Sequence, residues 1–92
     1  MNEELHSTMW EGHFSINTVK VANMDIWETW VEWGYEEGGG GVDFGESTSF
    51  DDAVIRHIDI AMMLGTKPYD EIMEIFSRMK ATRMNNIPNG EV

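Results

Sequence analysis

The sequence predicts an α+β domain in which a three-stranded antiparallel meander precedes a two-helix hairpin packed on one sheet face (βββαα). Apolar residues alternate with a period of two between Ile26 and Tyr35, as in a half-buried strand. From Ser49 onward the apolar spacing becomes helical. A length of 92 residues fits a single domain. We therefore expect an arm over residues 1–12, the sheet over 13–48, the helical hairpin over 49–84 and a frayed tail over 85–92.

The central strand, Ile26 to Tyr35, carries the strongest pattern. One parity holds apolar and β-branched residues: Trp27, Thr29, Val31, Trp33 and Tyr35. The other places Trp30 between Glu28 and Glu32. The first parity is therefore predicted to be buried and the second open. Trp30 is then either shielded by a side chain of a neighbouring strand or an exposed aromatic anchor of the kind enriched in binding hot spots.

The flanking strands are less regular. Residues His13 to Ala22 read as a strand whose apolar parity changes near Asn17, and a bulge at 17–18 would keep all its apolar residues inward. Trp10 is expected to pack against the core from the arm. Four glycines, residues 38–41, form the next connection, after which Val42 and Phe44 are predicted to face inward from a third strand.

The helices are predicted near residues 51–64 and 68–84. Ser49 is a candidate N-cap, and Gly65 a candidate C′ residue that ends the first helix. The predicted buried face of the first helix is Val54, Ile55, Ile58, Ala61 and Met62, and that of the second is Ile72, Ile75, Phe76, Met79 and Arg83. Most of the eight methionines are interpreted as core residues, with an adaptable Met-rich surface as the alternative.

The net charge of −11 is confined to the predicted sheet and its approach. Residues 1–52 contain twelve acidic residues and one basic residue, whereas residues 53–92 contain five of each. Such a field repels nucleic acid and anionic membranes and attracts a basic protein. We therefore expect a basic nucleic-acid-binding protein or ribonucleoprotein as partner, with no direct nucleic-acid binding and no membrane. The absence of cysteine fits a reducing cytoplasm.

No motif for catalysis or metal binding stands out. His6, Glu11 and His13 match no zinc spacing, and His57, on the first helix beside Arg56 and Asp59, is interpreted as a histidine at the boundary between core and surface rather than as a base. The acidic pairs at 36–37 and 51–52 would need a cleft to act as a carboxylate dyad. The sequence thus predicts a protein without enzymatic activity, cofactor or metal. A metal- or carboxylate-dependent enzyme is the least favoured class.

Small size, strong acidity and an acidic stripe give the chain a resemblance to a class of proteins. The stripe is Glu28, Glu32, Glu36, Glu37, Asp43 and Glu46. In these features the chain resembles phage-encoded inhibitors of host defence, namely anti-CRISPR proteins and anti-restriction DNA mimics. The resemblance implies carboxylates that replace phosphates on a basic, nucleic-acid-binding surface in the host cytoplasm.

The predicted partner-binding residues are these six acids and Trp30. The alternative function is a small non-enzymatic adaptor or a homodimerisation domain that uses the open sheet face. We expect a monomer, with a dimer through the edge of the third strand as the alternative.

Overall fold

The computed structural model describes residues 4–34 and 39–85, of which residues 81–85 enter only as helix backbone. Four strands precede two helices: β1 (Glu4–Met9), β2 (Phe14–Lys20), β3 (Trp27–Trp33), β4 (Gly40–Ser47), α1 (Phe50–Thr66) and α2 (Tyr69–Asn85). The strands form one antiparallel sheet in the order β1-β2-β3-β4. The α+β class and the antiparallel meander are confirmed.

The number of strands was predicted wrongly, because half of the expected arm, residues 4–9, is β1. Its six residues pair with β2 from Glu4 opposite Val19 to Met9 opposite Phe14. Leu5, Ser7 and Met9 alternate with more exposed neighbours, as expected for a half-buried edge strand. A serine in the middle of the inward parity weakened the hydrophobic signal.

The predicted bulge in β2 is also wrong. The register of β2 is continuous against both neighbours. The irregularity lies in β4, where Thr29 pairs with Gly45 but the next residue, Trp30, pairs with Asp43. Phe44 is therefore the extra residue of a bulge.

The core lies between one face of the sheet and the two helices. Its fully buried members are Phe14, Ile16, Val31, Leu64, Ile72 and Phe76. The ring of Phe76 stacks on Trp33 with centroids 5.1 Å apart and meets Phe14 edge-on at 5.8 Å. Phe44 contributes a further edge contact to Phe76 at 6.0 Å. α2 is thereby fixed to β2, β3 and β4 through one aromatic side chain.

The predicted starts of the helices agree with the structure better than the predicted ends. Ser49 caps α1, since its hydroxyl accepts from the Asp52 amide at 3.1 Å. The predicted stop at Gly65 is wrong, because α1 continues to Thr66 and the cap is Lys67. α2 buries Ile72 and Phe76 as predicted.

The face of α1 that touches the sheet differs from the predicted one. The buried residues of α1 are Ala53, His57, Ile60 and Leu64. Of the face expected to be buried, Ile55, Ile58 and Met62 are 57%, 49% and 62% exposed. The helix is rotated because His57 is buried among hydroxyl partners of the sheet.

Trp10 only partly follows the prediction. Its indole Nε1 donates to the carbonyl of Leu64 at 2.8 Å, and its ring meets Phe14 and Tyr69 edge-on. The side chain is nevertheless 43% exposed. Within the described residues, neither helix is long and apolar enough to cross a membrane. The tail predicted over 85–92 lies outside the described residues, apart from Asn85 at the end of α2.

Candidate protein-binding face

The sheet face opposite the helices carries most of the predicted partner-binding residues. The strand registers arrange it as three rows across β1 to β4. The rows are Glu4, Val19, Glu28 and Glu46; then His6, Asn17, Trp30 and Asp43; then Thr8, Ser15, Glu32 and Gly41. We call these twelve residues the acidic face. It holds five carboxylates and neither lysine nor arginine.

Trp30 occupies the middle row on the inner strand β3. Asn17 lies opposite it on one side and Asp43 on the other. The indole Nε1 donates a hydrogen bond of 2.8 Å to Glu32 Oε2. Trp30 is half-buried, which is intermediate between the two alternatives drawn from the sequence. The hydrogen bond from Nε1 to the carboxylate of Glu32 fixes the orientation of the indole ring on the acidic face.

The carboxylates surround this tryptophan. Glu28 and Glu32 flank it on its own strand, and Glu28 lies directly opposite Glu46 on β4. Like charges in a directly opposed cross-strand pair are destabilising. The face therefore retains an arrangement that works against the stability of the sheet.

The bulge in β4 puts two of these acids on the same face. Asp43 and Glu46 are three residues apart and would face opposite sides of a regular strand. The extra residue Phe44 shifts the alternation of side chains by one residue. Asp43 therefore pairs with Trp30 and Glu46 with Glu28, on the same face. Gly45 permits the turn with φ of +97°, and its amide donates to Asp43 Oδ1 at 2.8 Å.

Arg56 of α1 supports this bulge from the helix side. Its guanidinium donates to the carbonyls of Phe44 and Glu46, and its Nε donates to Ser47 Oγ at 3.2 Å. A planar guanidinium has several donors and can bind more than one carbonyl group of an irregular strand. The positive charge of Arg56 is therefore engaged with the β4 backbone.

His6 lies at the β1 edge of the middle row. Its Nδ1 is 2.8 Å from Asn17 Oδ1 and its Nε2 is 3.2 Å from Glu4 Oε1. The hydrogen bond to Asn17, followed by that to Glu4, raises the pKa of His6 above 6.5. Acidification therefore adds a positive charge to the face at this position.

A groove beside Trp30 continues from the acidic face around the end of β3 and β4. Its lining includes Glu28, Glu32 and Asp43 from the face, with Arg78 and Lys80 from α2 on the opposite side. The aromatic ring is thus part of a concave surface with carboxylates on several sides. A long basic side chain fits such an environment.

Five of the seven predicted partner-binding residues are brought together here. They are Glu28, Trp30, Glu32, Asp43 and Glu46. Glu36 and Glu37 lie outside the described residues. The sequence missed Glu4 and His6 as members of the face, because the strand that carries them was predicted to be an arm.

A second polar cluster lies inside the domain, on the helix side of the sheet. His57 Nε2 is 2.8 Å from Ser7 Oγ, and Nδ1 is 2.9 Å from Thr18 Oγ1, which lies 3.0 Å from Thr29 Oγ1. Burial, and then the charge of His6, lower the pKa of His57 below 6.5. Thr18 and Thr29 are fully buried, and the hydroxyl of Thr18 joins the imidazole of His57 to the hydroxyl of Thr29.

A serine bonded to a histidine has the geometry of a nucleophile and its base. In this pair a hydroxyl of Thr18, rather than a carboxylate, contacts the second nitrogen of His57. It cannot stabilise an imidazolium as an acid residue does. His57 is only 5% exposed, so a substrate could not reach it without opening the core. The cluster connects α1 to the sheet.

The remaining sequence candidates do not converge. His6 is bonded to Asn17 and Glu4, whereas His13 lies 3.2 Å from Tyr69 Oη. Within residues 4–34 and 39–85, no group of three histidine, aspartate or glutamate side chains is placed to hold a metal ion. Asp51 and Asp52 are exposed in the first turn of α1.

Comparison of the chain with protein-family models, with curated proteins and with solved structures gives no match in any of the three.

Proposed function

We propose that this protein binds a basic, nucleic-acid-binding surface of another protein through its acidic face and so blocks access of the nucleic acid. The observation that supports this most directly is the arrangement of four carboxylates around Trp30 and a fifth, Glu4, at the β1 edge, without lysine or arginine among the twelve residues of the face. Carboxylates on a rigid sheet offer a basic surface the same charge as a row of phosphates.

The electrostatic cost of the face supports a role in binding. Glu28 on β3 lies directly opposite Glu46 on the adjacent strand β4. Both side chains are exposed, so neither position needs an acid for packing. An arrangement that lowers stability without contributing to the core is typical of a functional surface. A basic partner would remove the repulsion on binding.

Trp30 provides the specific contact in this proposal. A guanidinium that enters the groove can lie against the indole face while its N–H groups bind Glu28, Glu32 or Asp43. Arginine suits this site better than lysine because its planar group both stacks and binds carboxylates in pairs. The proposed contact is therefore an arginine side chain of the partner inserted beside Trp30.

The charge distribution along the chain fits the same mechanism. All of the net charge of −11 belongs to residues 1–52, which include the whole sheet. A one-sided field increases the rate of association with a basic surface and orients the encounter. It also opposes a homodimer through the acidic face, since that contact would bring two sets of carboxylates together.

The resemblance to anti-CRISPR and anti-restriction inhibitors suggests which kind of protein is the target. A host defence protein must bind nucleic acid and therefore presents the basic surface that this face complements. We propose such a protein, in the cytoplasm of a host cell, as the target. The inhibitor acts without catalysis in this scheme.

A first experiment measures binding of an arginine-rich peptide and of the same peptide with lysine at each arginine position. Tighter binding of the arginine peptide is expected, with affinity falling about tenfold when salt rises from about 50 to about 300 mM. Glu28→Gln and Glu46→Gln should lower the association rate and the salt dependence. Trp30→Ala should raise the dissociation rate roughly thirtyfold if the ring is a hot spot.

Asp70→Asn at the start of α2 is the control, because it removes one negative charge from an exposed position outside both the acidic face and the lining of the groove. It should leave both rates unchanged. Equal losses from Glu28→Gln and Asp70→Asn would reduce the effect to net charge and contradict a defined binding face.

A second experiment identifies the partner. Wild-type protein and the Trp30→Ala and Glu28→Gln variants are used as baits in host lysate, and proteins retained by the wild type alone are identified by mass spectrometry. Each is then tested for displacement of its nucleic acid by the purified inhibitor. Retained proteins that keep their nucleic acid when the inhibitor binds would refute competition.

A further inference from the structure

The outer edge of β4 is part of the groove beside Trp30. β4 is the last strand in the sheet order, and within the described part of the chain no strand pairs with its other side. Every second residue of such an edge strand directs its N–H and C=O groups away from the sheet. Gly40, Gly41 and Val42 of β4 line the groove. An extended segment that enters the groove can therefore pair with β4 as a further strand.

Arg56 and the bulge limit such pairing to the first part of this edge. Arg56 donates to the carbonyls of Phe44 and Glu46 in the second part of β4. The bulge at Phe44 also interrupts the regular strand geometry there. The register from Gly40 to Val42 is continuous, and the two glycines have no side chain of their own over the backbone.

The two sides of the groove differ in charge. On the acidic face the groove is lined by Glu28, Glu32 and Asp43, whereas Arg78 and Lys80 line it from α2, on the helix side of the sheet. A ligand with basic groups on all sides would be attracted by the first set and repelled by the second.

The helix side of the groove is otherwise apolar. Trp33, Ile75 and Met79 are half-buried and contribute to its lining. The indole of Trp33 extends to the edge strand, since a Cβ at Gly40 would lie 2.8 Å from its ring. Lys80 Nζ lies 6.0 Å from the centre of the same ring. Apolar side chains are therefore the groups that fit this side.

We propose that the partner binds as an extended strand beside Gly40 to Val42, with basic residues at every second position and apolar residues between them. This inference rests on the function proposed above, because it specifies the segment that the acidic face binds. Successive side chains of a strand point to opposite faces. All basic residues of the segment then meet the carboxylates, and all apolar residues meet the side of Trp33. A helix or a loop of the same composition would also place cations near Lys80.

Gly41 allows a basic side chain of this strand to reach Glu32. The two residues are paired on the acidic face, and a Cβ at Gly41 would lie 3.9 Å from Glu32 Cγ, so the glutamate extends toward the edge. The partner strand lies two strand spacings from β3, about 10 Å, which an arginine and a glutamate side chain together span. The guanidinium can then bind the carboxylate in a planar pair.

Two peptides of identical composition test the alternation, namely Arg-Val-Arg-Val-Arg-Val and Arg-Arg-Arg-Val-Val-Val, both with blocked ends. In calorimetric titration of the full chain, the alternating peptide should bind about tenfold more tightly or better. Equal affinities would overturn the strand and leave the proposed function standing, because the acidic face would then attract charge without pairing. If neither peptide binds, the proposed function fails together with this inference.

Pairing through the backbone is tested with the alternating peptide methylated on every second amide nitrogen, in each of the two phases. The phase whose N–H groups point at β4 should lose binding about tenfold or more, and the other should retain it. Both phases carry the same charge, so electrostatic attraction alone predicts equal affinities, and that result would refute the pairing. Hydrogen exchange should slow at Gly40 to Val42 on binding, with β1 at the opposite edge unchanged. Slowing at β1 instead would overturn the site.

Lys80→Glu tests why alternation matters. It makes both sides of the groove acidic, so the preference for the alternating peptide should fall severalfold. Lys20→Glu makes the same change of charge outside the acidic face and the groove, and should leave the preference at its wild-type value. Thermal melts check that both variants are folded. A preference that Lys80→Glu leaves unchanged would overturn the two-sided recognition.

Discussion

The Nδ1 atom of His57 lies 2.9 Å from the hydroxyl oxygen of Thr18 in the layer between α1 and the sheet. The contact lies in the core, where burial lowers the pKa of His57 below 6.5 and so makes stability dependent on pH.

His57 should make the domain less stable in acid. Its pKa in the folded state lies below the 6.5 of the unfolded chain, so the unfolded state binds more protons between the two values. The contribution of His57 to the free energy of unfolding is therefore present above pH 6.5 and falls as the pH drops below it. Urea denaturation of the wild type and of His57→Phe at about pH 7.5 and about pH 5 measures the difference.

His6 provides a control of opposite sign. Its pKa is raised, so it contributes stability below pH 6.5 that is lost as the pH rises through its folded value. His6→Gln should therefore cost more at low pH. If the free energy of unfolding depends on pH in the same way in the wild type and in His57→Phe, the buried, neutral state of His57 is contradicted.

The two threonines of the buried cluster should differ in importance. Thr18 Oγ1 contacts both His57 Nδ1 and Thr29 Oγ1. Thr18→Val leaves the imidazole nitrogen without a partner, which costs about 1–3 kcal/mol. Thr29→Val keeps the bond between Thr18 and His57 and should cost clearly less. Chemical denaturation of both variants gives the comparison, and equal losses would show that the histidine bond does not dominate.

The tryptophans of β3 should separate by face. Trp33 stacks on Phe76 and contacts Phe14, so Trp33→Ala should lower the free energy of unfolding by about 3 kcal/mol. Trp30→Ala, on the acidic face, should cost about 1 kcal/mol or less. Thermal melts of the two variants test the assignment. A domain that melts early with Trp30→Ala and stays intact with Trp33→Ala would invert the faces.

Two glycines should respond oppositely to alanine. Gly45 has φ of +97° at the bulge, where alanine is strained, and Gly45→Ala should destabilise by about 1 kcal/mol or more. Gly65 is helical, and a Cβ there meets only the flexible Met9 Cε at 3.4 Å. Gly65→Ala should stabilise by up to about 1 kcal/mol. Melting temperatures of both variants decide the signs.

Hydrophobic alternation was sufficient to predict β3 and its faces. Trp27, Thr29 and Val31 are buried as the pattern indicated, while Glu28 and Glu32 are exposed. A strand in the middle of a sheet has one face against the core, which enforces strict parity. The positions of Glu28 and Glu32 on the acidic face follow directly from that parity.

The same reasoning failed where a polar side chain is buried with partners. A hydrophobic scale places His57 outward and Ile55, Ile58 and Met62 inward. The hydroxyls of Ser7 on β1 and Thr18 on β2 bind the imidazole, however, and this makes His57 the better core residue. These hydroxyls come from positions up to 50 residues away, which no local pattern contains. The bulge in β4 was missed for a similar reason, because it depends on support from Arg56 of α1.

The order of the strands also determines the order in which the molecule can assemble. All four strands precede Phe50, so during synthesis the sheet emerges before either helix. Its hairpins pair neighbouring segments and close short loops, whereas His57 reaches Ser7 across 50 residues. The apolar side of the sheet, with Phe14 and Val31, therefore stays exposed to solvent until the helices that carry Leu64 and Phe76 have been synthesised. In that interval the nascent chain is most exposed to aggregation and most dependent on chaperones.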